Sequence, residues 1–251
     1  MSADLETERR AVVAMLAIRN GRVGCFILHG MSGDRFGVEA LCSYLEEQGY
    51  GTYCCEIGIE FSSAKLFNAY AHLEWTCRAE REFEEFYKEY DYVVVIGVSI
   101  GGLIGILLAE KYMVDALITI NTPIYLVDAR KLLEMLYCEG ARVSNSHFNR
   151  IILLALYRLM GFNRLFDEAK KTLYRLRCPL LVIQGKKDDI VDWKSASYIY
   201  DSFLGQVKEI QYFPKSGHFI FLDCESRLVF IRLHQFIEKS VENKMLIEGY
   251  I

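Results

Sequence analysis

Proline is scarce in this chain, with three in 251 residues. Pro123, Pro179 and Pro214 are far apart, which excludes a proline-rich linker or polyproline module. Long hydrophobic runs are missing too. Nothing approaches the roughly 18 apolar residues of a membrane-spanning helix. The longest candidate, Leu103 to Leu108, is interrupted by Gly105 and soon meets Glu110 and Lys111. The N-terminus lacks the order of a secretory leader, because Asp4, Glu6 and Glu8 precede the first basic pair, Arg9 and Arg10. A cytoplasmic protein is therefore expected. Neither sign of charge dominates: 29 basic against 33 acidic side chains give a formal −4. That balance offers no general pull toward nucleic acid or anionic lipid. The eight cysteines contain no C-x-x-C pair, which excludes zinc ribbons and thioredoxin-type redox motifs. With no leader they are expected to be reduced and mostly buried. H-E-x-x-H, G-x-x-x-x-G-K-[ST] and a post-strand G-x-G-x-x-G are absent as well, so no metal and no nucleotide cofactor is expected. No internal repeat or low-complexity segment occurs.

What the chain does contain is apolar residues, at 52%. That is ample for one large buried core. Short continuous apolar runs alternate with stretches of helical spacing. Strands are expected at Val23 to Leu28, Gly51 to Cys55, Tyr92 to Val98, Ala116 to Ile120, Leu180 to Gln184 and Val207 to Phe213. Helices are expected at about 3–19, 36–48, 70–90, 100–112, 193–204 and 225–239. Between about Leu126 and Leu176 the strand signal disappears and helical spacing takes over, as in Ile152, Leu156 and Leu159. The fold class is therefore α/β. A mostly parallel sheet carries helices on both faces, with a small helical insertion at 126–176 between core segments 1–125 and 177–251.

Gly97-Val98-Ser99-Ile100-Gly101 matches G-x-S-x-G. Its context matters more than the match, because the motif ends the strongest strand signal and opens a helix. A serine on so sharp a turn needs small neighbours two residues before and two after, and both are glycine. The helix N-terminus then offers backbone N–H groups to a developing oxyanion. A serine alcohol needs a general base. Of five histidines, His72 and His234 fall inside expected helices, His147 in the polar insertion, and His29 at a strand end. His218 follows the last strand through Pro-Lys-Ser-Gly and precedes the last helix, so it is the candidate base. The base needs an anion. Asp188, Asp189 and Asp192 follow the preceding strand. Asp192 is placed to cap the next helix, Asp188 lies nearest the strand end and is chosen, and Asp189 is second. After the strand ending at Ile120 stand Asn121 and Thr122, with no carboxylate. An oxyanion hole would use the N–H of Ile100, and that of Met31 in the loop after the first strand.

His29-Gly30-Met31-Ser32-Gly33, Gly97 to Gly102, Asn121-Thr122-Pro123-Ile124-Tyr125, Gln184 to Asp189 and Ser216-Gly217-His218 together resemble the small bacterial carboxylesterases related to monoacylglycerol lipases. The resemblance spans about residues 22 to 240. It implies an α/β-hydrolase fold with a small helical cap, cleaving carboxylic esters of short to medium acyl chains or monoacylglycerols. Residue by residue it implies Ser99 as nucleophile, Asp188 as acid, His218 as base, and Met31 with Ile100 as oxyanion donors. The partner implied is a small apolar ester. Two departures stand out: the family usually has an aromatic where Met31 stands, and Glu56 to Glu60 lacks the Gly-His-Gly-like turn common after the second strand.

Leu132, Met135, Leu136, Tyr157, Met160 and Phe162 in the insertion could roof an acyl pocket, or could simply pack the insertion onto the body. Its basic residues read as a solvated face. Two other functions fit the same fold: a small-molecule receptor, and hydrolysis of an amide or carbon–carbon bond. A base that must be neutral predicts activity rising with pH through the ordinary imidazole range, about 6.5.

Overall fold

The computed structural model describes residue 12 and residues 22–29, 35–57, 71–125 and 163–247. Six strands form one sheet, every pair parallel: β1 (Val23–His29), β2 (Gly51–Glu56), β3 (Tyr92–Val98), β4 (Ala116–Ile120), β5 (Leu180–Gly185) and β6 (Lys208–Phe213). Their spatial order is β2-β1-β3-β4-β5-β6. The inner strands are buried at every position, which is why their sequences read as apolar runs broken only by His29, Thr119 and Gln184. β6, at an edge, is half-buried along most of its length and carries Lys208, Glu209 and Gln211.

Successive side chains point to opposite faces of a strand, and the core divides accordingly. Phe26, Leu28, Val93 and Val95 pack on one face with α2 (Ala71–Tyr87), α3 (Ile100–Lys111) and α4 (Lys194–Ser202), through Phe83, Ile104 and Ile199. Cys25, Ile27, Val94 and Ile96 pack on the other with α1 (Arg35–Glu47) and α5 (Ser226–Ile247), through Leu41, Leu45, Leu233 and Phe236. Helices on both faces of a parallel sheet agree with the α/β reading. α3 is apolar nearly all round because it is buried nearly all round.

The chain builds β2 on one side of β1, then crosses to the other side for β3 and everything after. Connections therefore diverge between β1 and β3, where Leu28 and His29 lie beside Gly97 and Val98. In open parallel sheets such a divergence leaves a crevice at the C-terminal strand ends.

Two expectations need correction. α5 continues to Ile247 rather than ending near Lys239, because Val241 and Met245 remain buried on the core face. The cysteines are less buried than expected. Cys25 and Cys55 are interior, but Cys54, Cys77 and Cys224 are exposed and Cys42 and Cys178 intermediate. Cys54 and Cys55 are adjacent on edge strand β2, so they face opposite ways and one of them meets solvent.

Of the stretch 126–176, expected to be an insertion, residues 163–173 are helical. Leu165, Ala169 and Leu173 are fully buried against the α3 side of the core, so this part packs onto the body. Residues 126–162, with the six apolar candidates named for a pocket roof, lie outside the described residues, as does the expected 3–19 helix apart from residue 12. Among the described residues no helix is long and apolar enough to cross a membrane.

Candidate active site

Ser99 is the single residue between β3 and α3. Its backbone sits at φ 52°, ψ −126°. A non-glycine residue held in so sparsely populated a region costs about 1–3 kcal/mol, and persists only where surroundings enforce it. They do so here through hydrogen bonds and close packing. The Ser99 N–H donates to the Ile120 carbonyl at 2.8 Å, and the Gly102 N–H donates to the Ser99 carbonyl at 2.9 Å. A Cβ on Gly97 would lie 2.4 Å from the Gly102 Cα, and one on Gly101 would lie 2.2 Å from the Leu28 carbonyl oxygen. Backbone already fills both spaces, so the motif's two glycines are required by contact. The Ser99 hydroxyl makes no capping hydrogen bond to the helix it precedes. As first residue of α3, Ile100 has an N–H with no intrahelical acceptor, at the positive end of a twelve-residue helix.

Asp188 and His218 are brought together. His218 Nδ1 stands 2.9 Å from Asp188 Oδ2, both side chains almost wholly buried. A carboxylate can only accept, so this contact puts the ring proton on Nδ1 and leaves Nε2 with a lone pair in the neutral imidazole. The other carboxylate oxygen is held by the Ile190 and Val191 N–H groups, each at 2.9 Å. The Gln184 side-chain amide adds a donor to Oδ2 at 3.3 Å. Three N–H donors fix the orientation of Asp188. Asp189 is exposed, which separates it from Asp188. Asp192 accepts from the Lys194 N–H at 2.9 Å, but the N-cap position is taken by Trp193, so Asp192 braces the helix start from one residue earlier than expected. Beside this loop the Lys186 ammonium lies between the Trp193 and Tyr212 rings, 3.5 and 3.7 Å from their centroids.

Ser99 and the Asp188–His218 pair share the C-terminal rim of the sheet. The link between them runs through β4. Ser99 is bonded to Ile120, and the next residue, Asn121, donates from Nδ2 to the Gly217 and His218 carbonyls at 3.0 and 2.8 Å. Asn121 carries no carboxylate and so does not stand out in the sequence as a partner for a histidine. The available signal was an asparagine closing a strand, where it can adopt the left-handed backbone that most residues avoid. Asp223 and Glu225 also went unnoticed: they tie down the Gly217 N–H, the Lys215 N–H and the Ser216 hydroxyl.

His234 is satisfied by the Tyr50 hydroxyl at 2.8 Å, and His72 lies in α2. His29 ends β1, buried. Met31 and His147 lie outside the described residues. Among the described residues no cluster of His, Cys, Asp and Glu could hold a metal ion.

The family description "Serine hydrolase (FSH1)" matches residues 37–220, a span that contains Ser99, Asp188 and His218. A carboxylesterase of Bacillus subtilis (strain 168) is 22% identical over 236 residues, covering 88% of this chain and 94% of the relative. A thermostable monoacylglycerol lipase of Bacillus sp. (strain H-257) is 21% identical over 230 residues, covering 88% and 92%. Among solved structures, one of the metagenome-derived lipolytic enzymes LipS and LipT superposes with a TM-score of 0.68 at 20% identity, over 87% of this chain and 94% of that one. A Paleococcus ferrophilus monoacylglycerol lipase gives 0.60 at 16%, over 87% and 94%. At such identities the superpositions speak for the fold.

Proposed function

The chain belongs to the FSH1 serine hydrolase family, and from that premise we propose that it cleaves carboxylic esters through an acyl-enzyme on Ser99. The observation that carries this reading is the buried Asp188–His218 contact on the same strand-end rim as a serine held at φ 52°. The Ser99 hydroxyl attacks the ester carbonyl while His218 Nε2 takes its proton. Asp188 stabilises the imidazolium that results and keeps the ring in one tautomer. Negative charge develops on the former carbonyl oxygen, where the Ile100 N–H and the α3 dipole favour it. Met31 is the second donor in this reading. The close contact of Gly101 with Leu28 supports it, since Leu28 lies only three residues before Met31 in the chain. His218 then returns its proton to the leaving alcohol. It next takes one from water, whose oxygen attacks the acyl carbonyl and frees the acid and Ser99. Every proton and electron pair is carried by protein, ester and water, so the scheme needs no cofactor.

The substrate proposed is a small apolar ester of short or medium acyl chain, or a monoacylglycerol, in a cytoplasmic setting. The named activities of the two bacillar relatives support that class. Residues 126–176 serve as the cap in this reading. The test is hydrolysis of p-nitrophenyl butyrate by wild type and by Ser99→Ala. Turnover should be measurable in the first and lost in the second with the circular dichroism unchanged. Equal rates would overturn the proposal.

A further inference from the structure

We infer that Asn121 is a positioning residue for the proposed hydrolysis, setting where the His218 imidazole stands relative to Ser99. The inference rests on the reading above. His218 sits in the long connection between Phe213 and Ser226, which has no regular structure to hold it. Several bonds fold this loop onto itself: Asp223 accepts from the Gly217 N–H at 2.6 Å, and Glu225 accepts from the Lys215 N–H at 2.8 Å and the Ser216 hydroxyl at 2.7 Å. Besides the His218–Asp188 contact itself, a main-chain bond joins it to the acid loop, from the Lys187 N–H to the Ser216 carbonyl at 2.9 Å. These fix the shape of the loop and its distance from Asp188. They do not refer it to the nucleophile. Asn121 does, because it follows Ile120, whose carbonyl holds the Ser99 N–H. Both Nδ2 hydrogens are spent on the loop, one on the Gly217 carbonyl and one on that of His218 itself. The remaining side-chain atom, Oδ1, accepts the Gly185 N–H at 2.8 Å, at the end of the strand that leads to Asp188. One fully buried amide therefore joins the strand beside Ser99, the strand leading to Asp188 and the peptide of His218.

Its backbone argues the same way. Asn121 lies at φ 46°, where glycine costs least. If the position needed only that conformation, glycine would serve. An asparagine there is explained by its side chain, whose donors and acceptor are all used.

The distinguishing variants are Asn121→Gly and Asn121→Asp. Glycine keeps the backbone and removes all three side-chain bonds. Aspartate keeps the acceptor for Gly185 but replaces both donors with an oxygen facing two carbonyls. Three quantities are to be measured: kcat and KM with p-nitrophenyl butyrate per phosphonate-titrated site, the rate of fluorophosphonate labelling of Ser99, and the low-field proton resonance of the Asp188–His218 hydrogen bond. We expect KM to stay within about twofold while kcat and the labelling rate fall about 10- to 100-fold, as misplacement of a catalytic group on the ångström scale does. The low-field resonance should broaden or move. Folded glycine and aspartate variants with kcat near wild type would overturn the inference. So would a loss of activity fully explained by fewer titratable sites, or failure of both variants to fold, since each makes Asn121 merely structural. Wild type and Ser99→Ala run alongside separate the two levels. A wild type that neither turns over nor becomes labelled sinks the hydrolase reading and this inference with it. An active wild type matched by Asn121→Gly sinks this inference alone.

Discussion

At Ser99 the main chain holds a shape that suits glycine better than serine, and the side chain gives nothing back in capping. Stability and chemistry therefore pull apart at this residue. Ser99→Gly should abolish turnover yet raise the free energy of unfolding by about 1 kcal/mol over Ser99→Ala, since only glycine enters the positive-φ region freely. Urea denaturation of the two variants measures this, and an Ala variant at least as stable as the Gly variant would contradict it. Asp188 makes a different prediction. In Asp188→Asn one oxygen remains for the Ile190 and Val191 N–H groups, but the amide nitrogen now faces His218 Nδ1 and donates to it. The neutral ring would then carry its proton on Nε2, the wrong side for a base. A fall in kcat of about 10⁴-fold with little change in stability is expected, the size seen when a triad acid is made an amide. At this scale the sequence was legible wherever chemistry demanded a residue type. Ser99, His218 and Asp188 could be proposed because few side chains can play the parts proposed for them, and the Asp188–His218 contact is the part of that expectation the structure contains. Asn121 could not, because its work is to hold two main-chain carbonyls, and no residue spacing announces which carbonyls those will be.

The elements were readable for a simpler reason: burial on both faces leaves strands such as Tyr92–Val98 no polar positions to blur the signal. Their packing was less readable. Gly101 is clear as a small residue in the sequence, but its opposing partner, the Leu28 carbonyl, belongs to a strand some seventy residues earlier. Gly101→Ala must move backbone rather than a flexible side-chain tip, and should destabilise by about 1–3 kcal/mol as overpacking does. A thermal midpoint unchanged from wild type would show that α3 can shift without cost. At the sheet's other edge, Glu209 of β6 is clasped by Arg232 and Lys239 of α5, the latter at 3.0 Å. Partial burial pushes its carboxyl upward, but Lys239 and Arg232 outweigh that and hold it below the ordinary range. The folded protein therefore releases this proton more readily than the unfolded chain does. The clasp stabilises fully above the unfolded value of about 4.3 and is lost as pH falls below it. Glu209→Gln should cost up to about 1 kcal/mol at neutral pH, discounted for partial exposure, and almost nothing near pH 3. A penalty that does not change with pH would mean the contact acts through packing instead.

For the whole molecule, everything proposed for catalysis sits at one end of the sheet, while α5 packs along one face and makes contacts at both rims. Its start supports the site, because Glu225, just before it, holds Lys215 and Ser216 of the His218 loop. Its far end is anchored at the other rim. Lys244 pairs with Asp115, whose second oxygen accepts the Val93 N–H at 2.7 Å, and Val241 and Met245 are buried. The sequence hid this last part, since Glu242-Asn243-Lys244 interrupts the apolar spacing just where the helix continues. A chain shortened after Lys239 tests whether the hidden turns matter. Stripping Val241 and Met245 from the core removes about 1.5–3 kcal/mol each in burial alone. Against a total of about 5–15 kcal/mol for a domain, that is a large share. The shortened protein should unfold at markedly lower urea, and the loss of esterase turnover should track unfolding rather than precede it, because the helix start that holds the His218 loop is left in place. Turnover lost while the truncated protein is still folded would instead mean that the far end of α5 sets the position of His218 along its whole length.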